Sequence, residues 1–207
     1  MATRGSAGPA TTQRPWPEGD RTDEFSAWAL PATRPGHVWS YDFVSVRSEH
    51  GAPIRVLNVV DEFTRVALGS RVARSIGAGD VVAHLEKLFD QHGRPEIIRS
   101  DNGREFIAST VKDWLTARGV TAAFIAKASP QQNCYVERFN GTMRDELLHG
   151  ETFRSVTEAR VVIANWIEEY NHLRPHRALK MKTPAAFAAY CEPDPTNRND
   201  APDETRR

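Results

Sequence analysis

Apolar and polar positions alternate with a period of two from His37 to Val46 (HVWSYDFVSV). They do so again over Ile54–Phe63 and Arg65–Ala73. Runs of this kind, separated by short polar links carrying Gly51 and Pro53, predict three antiparallel strands in a meander. The period then lengthens. Val81, Val82, Leu85, Leu88 and Phe89 form one stripe between Gly79 and Gln91, which predicts a helix closed by Gly93 and Pro95. PEIIRS reads as a short buried strand that delivers the chain to Asp101. FIASTVKDWLTARG sets Phe106, Val111, Trp114 and Leu115 at helical spacing, and VTAAFI reads as a fifth strand.

A long helix is predicted from Gln131 or Gln132 to His149, with Val136, Phe139, Met143 and Leu147 on its core stripe. Asn133, Glu137, Asn140, Gly141 and Arg144 fall on the opposite, polar or small face. The next helix spans Ser155–Asn171, where Ser155 and Glu158 have the spacing of a capping box. PAAFAAY adds a short final helix. The order β-β-β-α-β-α-β-α-α predicts an α/β domain over residues 37–190, a mixed five-stranded sheet with helices on both faces. Residues 1–36 read as a flexible leader and residues 191–207 as a disordered tail.

Composition narrows the class without naming it. With 40% hydrophobic and 26% charged residues the chain resembles a globular protein, and no apolar stretch is long enough to span a bilayer. No secretory signal is visible, so a cytoplasmic location is expected. Cys134 and Cys191 form no CxxC pair, which argues against zinc or a disulfide scaffold. The 27 basic and 27 acidic residues cancel, but bases gather between Lys127 and Lys182, where a local basic surface can form.

Three carboxylates stand out. Asp42 interrupts an apolar-aromatic strand, Asp101 ends another, and Glu137 sits on the long helix. A carboxylate in a strand that wants burial is costly unless a partner or metal compensates it. Carboxylate oxygens are the ligands that Mg²⁺ (or Mn²⁺) prefers, so the set suggests a site for hard divalent cations. Asp61 is read as a structural residue at a strand end, bonding Thr64 or Arg65. Glu105 is read as a helix N-terminal acid, and Asn102 with Gly103 as a tight turn. Cys134 is expected to be a buried or half-buried small residue, and Trp39, Trp114 and Trp166 to pack in the core.

The ordered pieces WSYDFV, NVVDEFTR, GRPEIIRSDNGREF, QNCYVERFNGTMRDEL, YNHLRPHRAL and the Thr183–Pro184 pair resemble the catalytic core of bacterial insertion-sequence transposases related to retroviral integrases. That resemblance implies a ribonuclease-H-like fold and a two-aspartate, one-glutamate site of Asp42, Asp101 and Glu137. The last two are separated by 35 residues, as in the family pattern. It implies Mg²⁺- or Mn²⁺-dependent DNA cleavage and strand transfer by in-line phosphoryl transfer. Gln132, Asn133, Asn140 and Arg144 would meet DNA, the chain acting as a homo-oligomer or together with a longer transposase and not at a membrane. Members of the family carry DNA-binding helices ahead of the core, and residues 1–36 show no such pattern, so weak and unspecific DNA binding is expected. The alternatives are a silent remnant that regulates a full-length transposase, and a nuclease acting only by hydrolysis.

Overall fold

The computed structural model describes residues 31–101, 103, 109–124 and 133–191. The expectations for residues 1–30, for Glu105 and Gln132, and for the tail beyond Cys191 lie outside the described residues. Strand β1 (Val38–Arg47) pairs antiparallel with β2 (Pro53–Asp61), and β2 with β3 (Ala67–Ala73). Strand β4 (Ile97–Ser100) runs parallel to β1, and β5 (Thr121–Phe124) parallel to β4. The sheet order β3-β2-β1-β4-β5 is the mixed five-stranded sheet that the sequence predicts.

Because β1 is central, its alternate residues feed two cores. Trp39 and Tyr41 pack with Leu57, Val59 and Ile98 beneath α1 (Ala78–His92) and α2 (Ser109–Ala117). On the other face Val44 packs with Val56, Val60, Phe139 and Ile163 beneath α3 (Cys134–Met143) and α4 (Val156–His172). A short helix α5 (Pro184–Cys191) is the last described element.

Helix ends follow local chemistry. Gly93 takes φ 80° and donates its N–H to Phe89 O at 3.0 Å, which stops α1. The Ser155 hydroxyl accepts the Glu158 N–H at 3.1 Å, as a capping box requires, but the Glu158 carboxylate reaches the Arg154 N–H at 2.6 Å rather than that of Ser155. The expected start of α3 at Gln131 or Gln132 lies outside the described residues, and its C-terminal end departs from expectation. The described helix begins at Cys134, and its last turn, Arg144–Leu148, is π-helical. A π turn inserts a residue and rotates the side chains beyond it. Leu148 therefore joins Leu147 in the core, although the regular stripe marked Leu147 alone.

The β2–β3 connection is built on Asp61, which is 3% exposed. Its Oδ1 accepts from Phe63 N (3.0 Å), Thr64 N (2.8 Å) and Thr64 Oγ1 (2.9 Å), while Oδ2 accepts from Gly36 N at 2.6 Å. This turn role is the one assigned to Asp61 from sequence. Beyond it Arg65 adopts φ 66°, and the β2–β3 register slips at Val59/Val60. The Asn171 side chain then completes Ala67, bonding its N–H and its C=O at 2.9 Å each.

A buried ion pair was not anticipated. Arg99 Nη1 lies 2.6 Å from Glu62 Oε2, with side-chain exposures of 4% and 0%, and the Ser40 hydroxyl donates to the other Glu62 oxygen. Burial outweighs Arg99 here and keeps the Glu62 carboxyl above its ordinary pKa, so the pair contributes fixed geometry more than stability. Replacing Arg99 with Met leaves Glu62 buried without its counter-charge. Urea unfolding should show a loss of about 3–5 kcal/mol, with most of it recovered when E62Q is added. An R99M variant as stable as wild type would contradict the buried-pair reading.

Candidate active site

Strand register brings two of the three carboxylates together. In the parallel β1–β4 pair Ser40 is opposite Arg99; Asp42 lies two residues further along β1, Asp101 directly follows the end of β4, and the charge of Asp101 is felt at Asp42. The face of β1 that carries Asp42 is the one α3 covers, because Val44 on β1 joins the Phe139 core. Glu137 projects from the first turn of α3, where the helix dipole favours a negative charge. Asp42 is half-buried, and Asp101 and Glu137 are exposed.

The field at Asp42 records this grouping. Its carboxyl is pushed up to about 6, chiefly by burial, with the charges of Asp101 and Glu137 adding to the rise. Two hydrogen bonds oppose it: Phe43 N–H to Oδ1 at 2.7 Å and Asn140 Nδ2 to Oδ2 at 3.0 Å. Asp101 Oδ1 accepts the Gly103 N–H at 2.9 Å, which shapes the turn in the way expected for Gly103. Among the described residues no three His, Cys, Asp or Glu side chains stand at coordination spacing, so the three carboxylates share a field rather than a closed cage. The donor set is nonetheless all oxygen, and the charge crowding at Asp42 is the kind a divalent cation relieves.

Asn140 is placed differently from the sequence reading. It is 1% exposed, so it does not lie on the wet face available to DNA; the helix turns it inward. Its Oδ1 accepts from Asn58 Nδ2 at 2.6 Å, and Asn58 Oδ1 in turn accepts from the Ser70 hydroxyl. Ser70, Asn58, Asn140 and Asp42 thus form a one-directional relay from the edge strand to the carboxylate. Each amide is locked in orientation because its oxygen accepts and its nitrogen donates. Asn58 and Ser70 were missed. The available signal was Asn58, an amide inside the apolar run LNVV of β2.

Asn133 is likewise buried, which removes it from a DNA-facing surface; only Arg144, of the described DNA candidates, is exposed. Cys134 is exposed rather than buried, because α3 turns that flank toward solvent. Trp39 is fully buried, and Trp114 and Trp166 pack against the two cores, as expected. No helix among the described residues is long and apolar enough to cross a membrane.

The mixed five-stranded sheet flanked by helices is a ribonuclease-H-like fold, the fold of integrase catalytic cores. Two models of the integrase core domain match, over residues 32–130 and 118–184. An uncharacterized 31.7 kDa protein of insertion element IS407 from Burkholderia multivorans is 40% identical over 78% of this chain, which spans 58% of that relative. An uncharacterized protein of insertion element IS136 from Agrobacterium fabrum is 31% identical over 72% of this chain and 80% of its own length. The catalytic core of HTLV-2 integrase, solved as a dimer with magnesium, shares the fold with a TM-score of 0.59 at 17% identity, over 75% of this chain and 97% of that one. This chain belongs to the integrase core domain family.

The raised Asp42 carboxyl has a consequence for stability in chelator. Between its ordinary value near 3.8 and about 6 the folded protein holds a proton that the unfolded chain has released. The benefit of that proton is complete below pH 4 and is lost as pH rises through 6. Relative to D42N, metal-free wild type should therefore lose on the order of 2–3 kcal/mol between pH 4 and pH 7.5, by paired chemical unfolding in EDTA. A pH-independent difference would mean that Asp42 is not in this environment.

Proposed function

We propose that this chain catalyses divalent-metal-dependent DNA strand cleavage and strand transfer, the chemistry of transposition, by in-line phosphoryl transfer. The observation that supports the reading is that Asp42 on β1 and Asp101 just past the neighbouring parallel strand β4, together with Glu137 on α3, act on one field that raises the Asp42 carboxyl. Family membership and the insertion-element relatives support the same reaction class.

Asp42, Asp101 and Glu137 would hold Mg²⁺ or Mn²⁺, as the magnesium-bound integrase core suggests by analogy. Bound there, such ions activate the attacking oxygen and neutralise charge on the leaving one. The chain's own part is positional. Asn140 aims Asp42 Oδ2 through a 3.0 Å bond, and the backbone N–H of Phe43 holds Oδ1. The relay through Asn58 and Ser70 stops the Asn140 amide from flipping. Glu137, on a helix and exposed, supplies the longer reach needed from outside the sheet. Water would attack in the cutting step and a DNA 3′-hydroxyl in the joining step. Arg144, exposed in the turn beyond α3, is suited to a phosphate of the bound DNA. Joining needs two DNA ends held together, so the working assembly contains at least two protomers, from this chain or with a longer transposase.

The test compares E137Q with D61N on linear duplexes carrying the element ends, scored for nicking and joining with Mg²⁺ or Mn²⁺. E137Q should fold normally and lose more than about 100-fold in both reactions, beyond the 10–100-fold typical of an outer-shell partner. D61N should lower thermal stability by about 1–3 kcal/mol through its turn bonds while folded enzyme keeps its activity. E137Q activity near wild type would reject the assignment. Nicking without joining by the wild-type chain would identify a nuclease instead.

A further inference from the structure

The flank of α3 next to Glu137 opens onto a cavity of about 300 Å³. Arg65, Arg138, Arg174, Arg177 and His176 line it together with Tyr135, and no carboxylate does among the described residues. Three separate segments deliver these cations. Arg65 comes from the β2–β3 turn in a left-handed conformation, and its guanidinium stacks 3.8 Å above the Tyr135 ring. Arg138 comes from α3. Arg174, His176 and Arg177 come from the RPHR segment after α4.

That segment is a rigid loop. His176 bridges to Lys182, Lys180 and Met181 both take positive φ (54° and 63°), and Leu179 anchors the loop in the interior. Arg174 pairs with Glu146 and is thereby held in place. The guanidinium groups of Arg138 and Arg177 have no ion pair among the described residues. His176 stands edge-on to Tyr170 at 5.0 Å, and its Nε2 is withdrawn from water with no hydrogen-bond partner among the described residues. Burial, followed by Arg174 and Arg65, pushes the His176 pKa down, so at neutral pH the ring is an uncharged donor or acceptor and the positive charge is the arginines' own.

We infer that this cavity binds a single backbone phosphate of the DNA substrate, clamped by Arg138 and Arg177 with Arg65 and Arg174 behind them. The inference rests on the function proposed above and adds a subsite to it. Arginine forks match phosphate oxygens bidentately, and convergence of several from three segments on one cavity distinguishes a clamp from a basic face on a single element. The orphaned imidazole nitrogen offers one further polar contact. Location selects DNA over a small anion: Arg138 adjoins Glu137 in sequence, and the two flanks of a helix are about 10–12 Å apart.

The salt dependence of DNA binding tests this, using the full chain, a labelled duplex, EDTA and fluorescence anisotropy. Each neutralised phosphate contributes about 0.9 to the slope of log Kd against log salt. R138Q and R177Q should each lower the slope by less than 1, because the remaining arginine still neutralises the shared phosphate, and the double variant should lower it by about 1. R138K/R177K should restore the slope but leave affinity several-fold weaker, since lysine lacks the fork. Both arginines are exposed, so melting temperatures should be unchanged. An unchanged slope in the double variant overturns the inference, and so does a loss of about 2, which would mean two independent open contacts. The one-phosphate pattern in a chain that neither nicks nor joins would sustain the clamp and defeat the proposed reaction. Absence of any salt-dependent DNA binding by wild type would defeat both.

Discussion

A carboxylate kept half out of water beside two others is the constraint on which this structure turns. Asp42 could sit more comfortably almost anywhere else on the surface. Its position on the central strand places it between burial and the charges of Asp101 and Glu137, and its pKa rises accordingly. The fold answers with directed hydrogen bonds rather than with a permanent counter-charge. Phe43 N–H and the Asn140 amide hold the two oxygens, and Asn58 and Ser70 hold Asn140. A lysine or arginine in that place would quiet the carboxylate, but it would also compete for the oxygens that a metal needs. Oriented amides keep the group charged and available once an ion arrives.

Two other features protect this arrangement. The Arg99–Glu62 pair, tied to Ser40, links the strand that carries Asp42 to the one that ends at Asp101. Asp61 closes the β2–β3 turn with four hydrogen bonds, and that turn in turn presents Arg65. Helix α3 then serves two surfaces. Its inner side carries Phe139 and Asn140, one flank turns Glu137 toward the carboxylates, and the other carries Arg138 into the arginine-lined cavity. Cleavage chemistry and backbone capture would thus be set in register by one rigid element.

Much of this was legible in the sequence because it is periodic. The strand meander, the crossovers and the core stripes follow from periods of two and 3.6, and β1–β5 formed where those periods changed. Asp42 was conspicuous as a charge in an apolar strand. Asp61 could be set aside because Thr64 stood within reach of a turn. What escaped was what depends on depth and register. Asn140 shares a helical face with Glu137 on a wheel, yet the packing of α3 on β1 and β2 turns it inward to meet Asn58, 82 residues away in sequence. Nothing in the sequence singled out Glu62, which the sheet brings against Arg99. The π turn at Arg144–Leu148 leaves no periodic trace, and the basic cavity draws on three segments that are each ordinary alone.

The central claim is that Asp42, Asp101 and Glu137 serve one divalent-cation site, and Mn²⁺ titration followed by electron paramagnetic resonance tests it most directly. Wild type should bind Mn²⁺, and D42N, D101N and E137Q should each weaken that binding by at least about tenfold while remaining folded. D61N, with its carboxylate committed to the turn, should bind as wild type does. Mn²⁺ binding left intact by loss of any one of the three carboxylates, in a folded protein, would contradict a shared site.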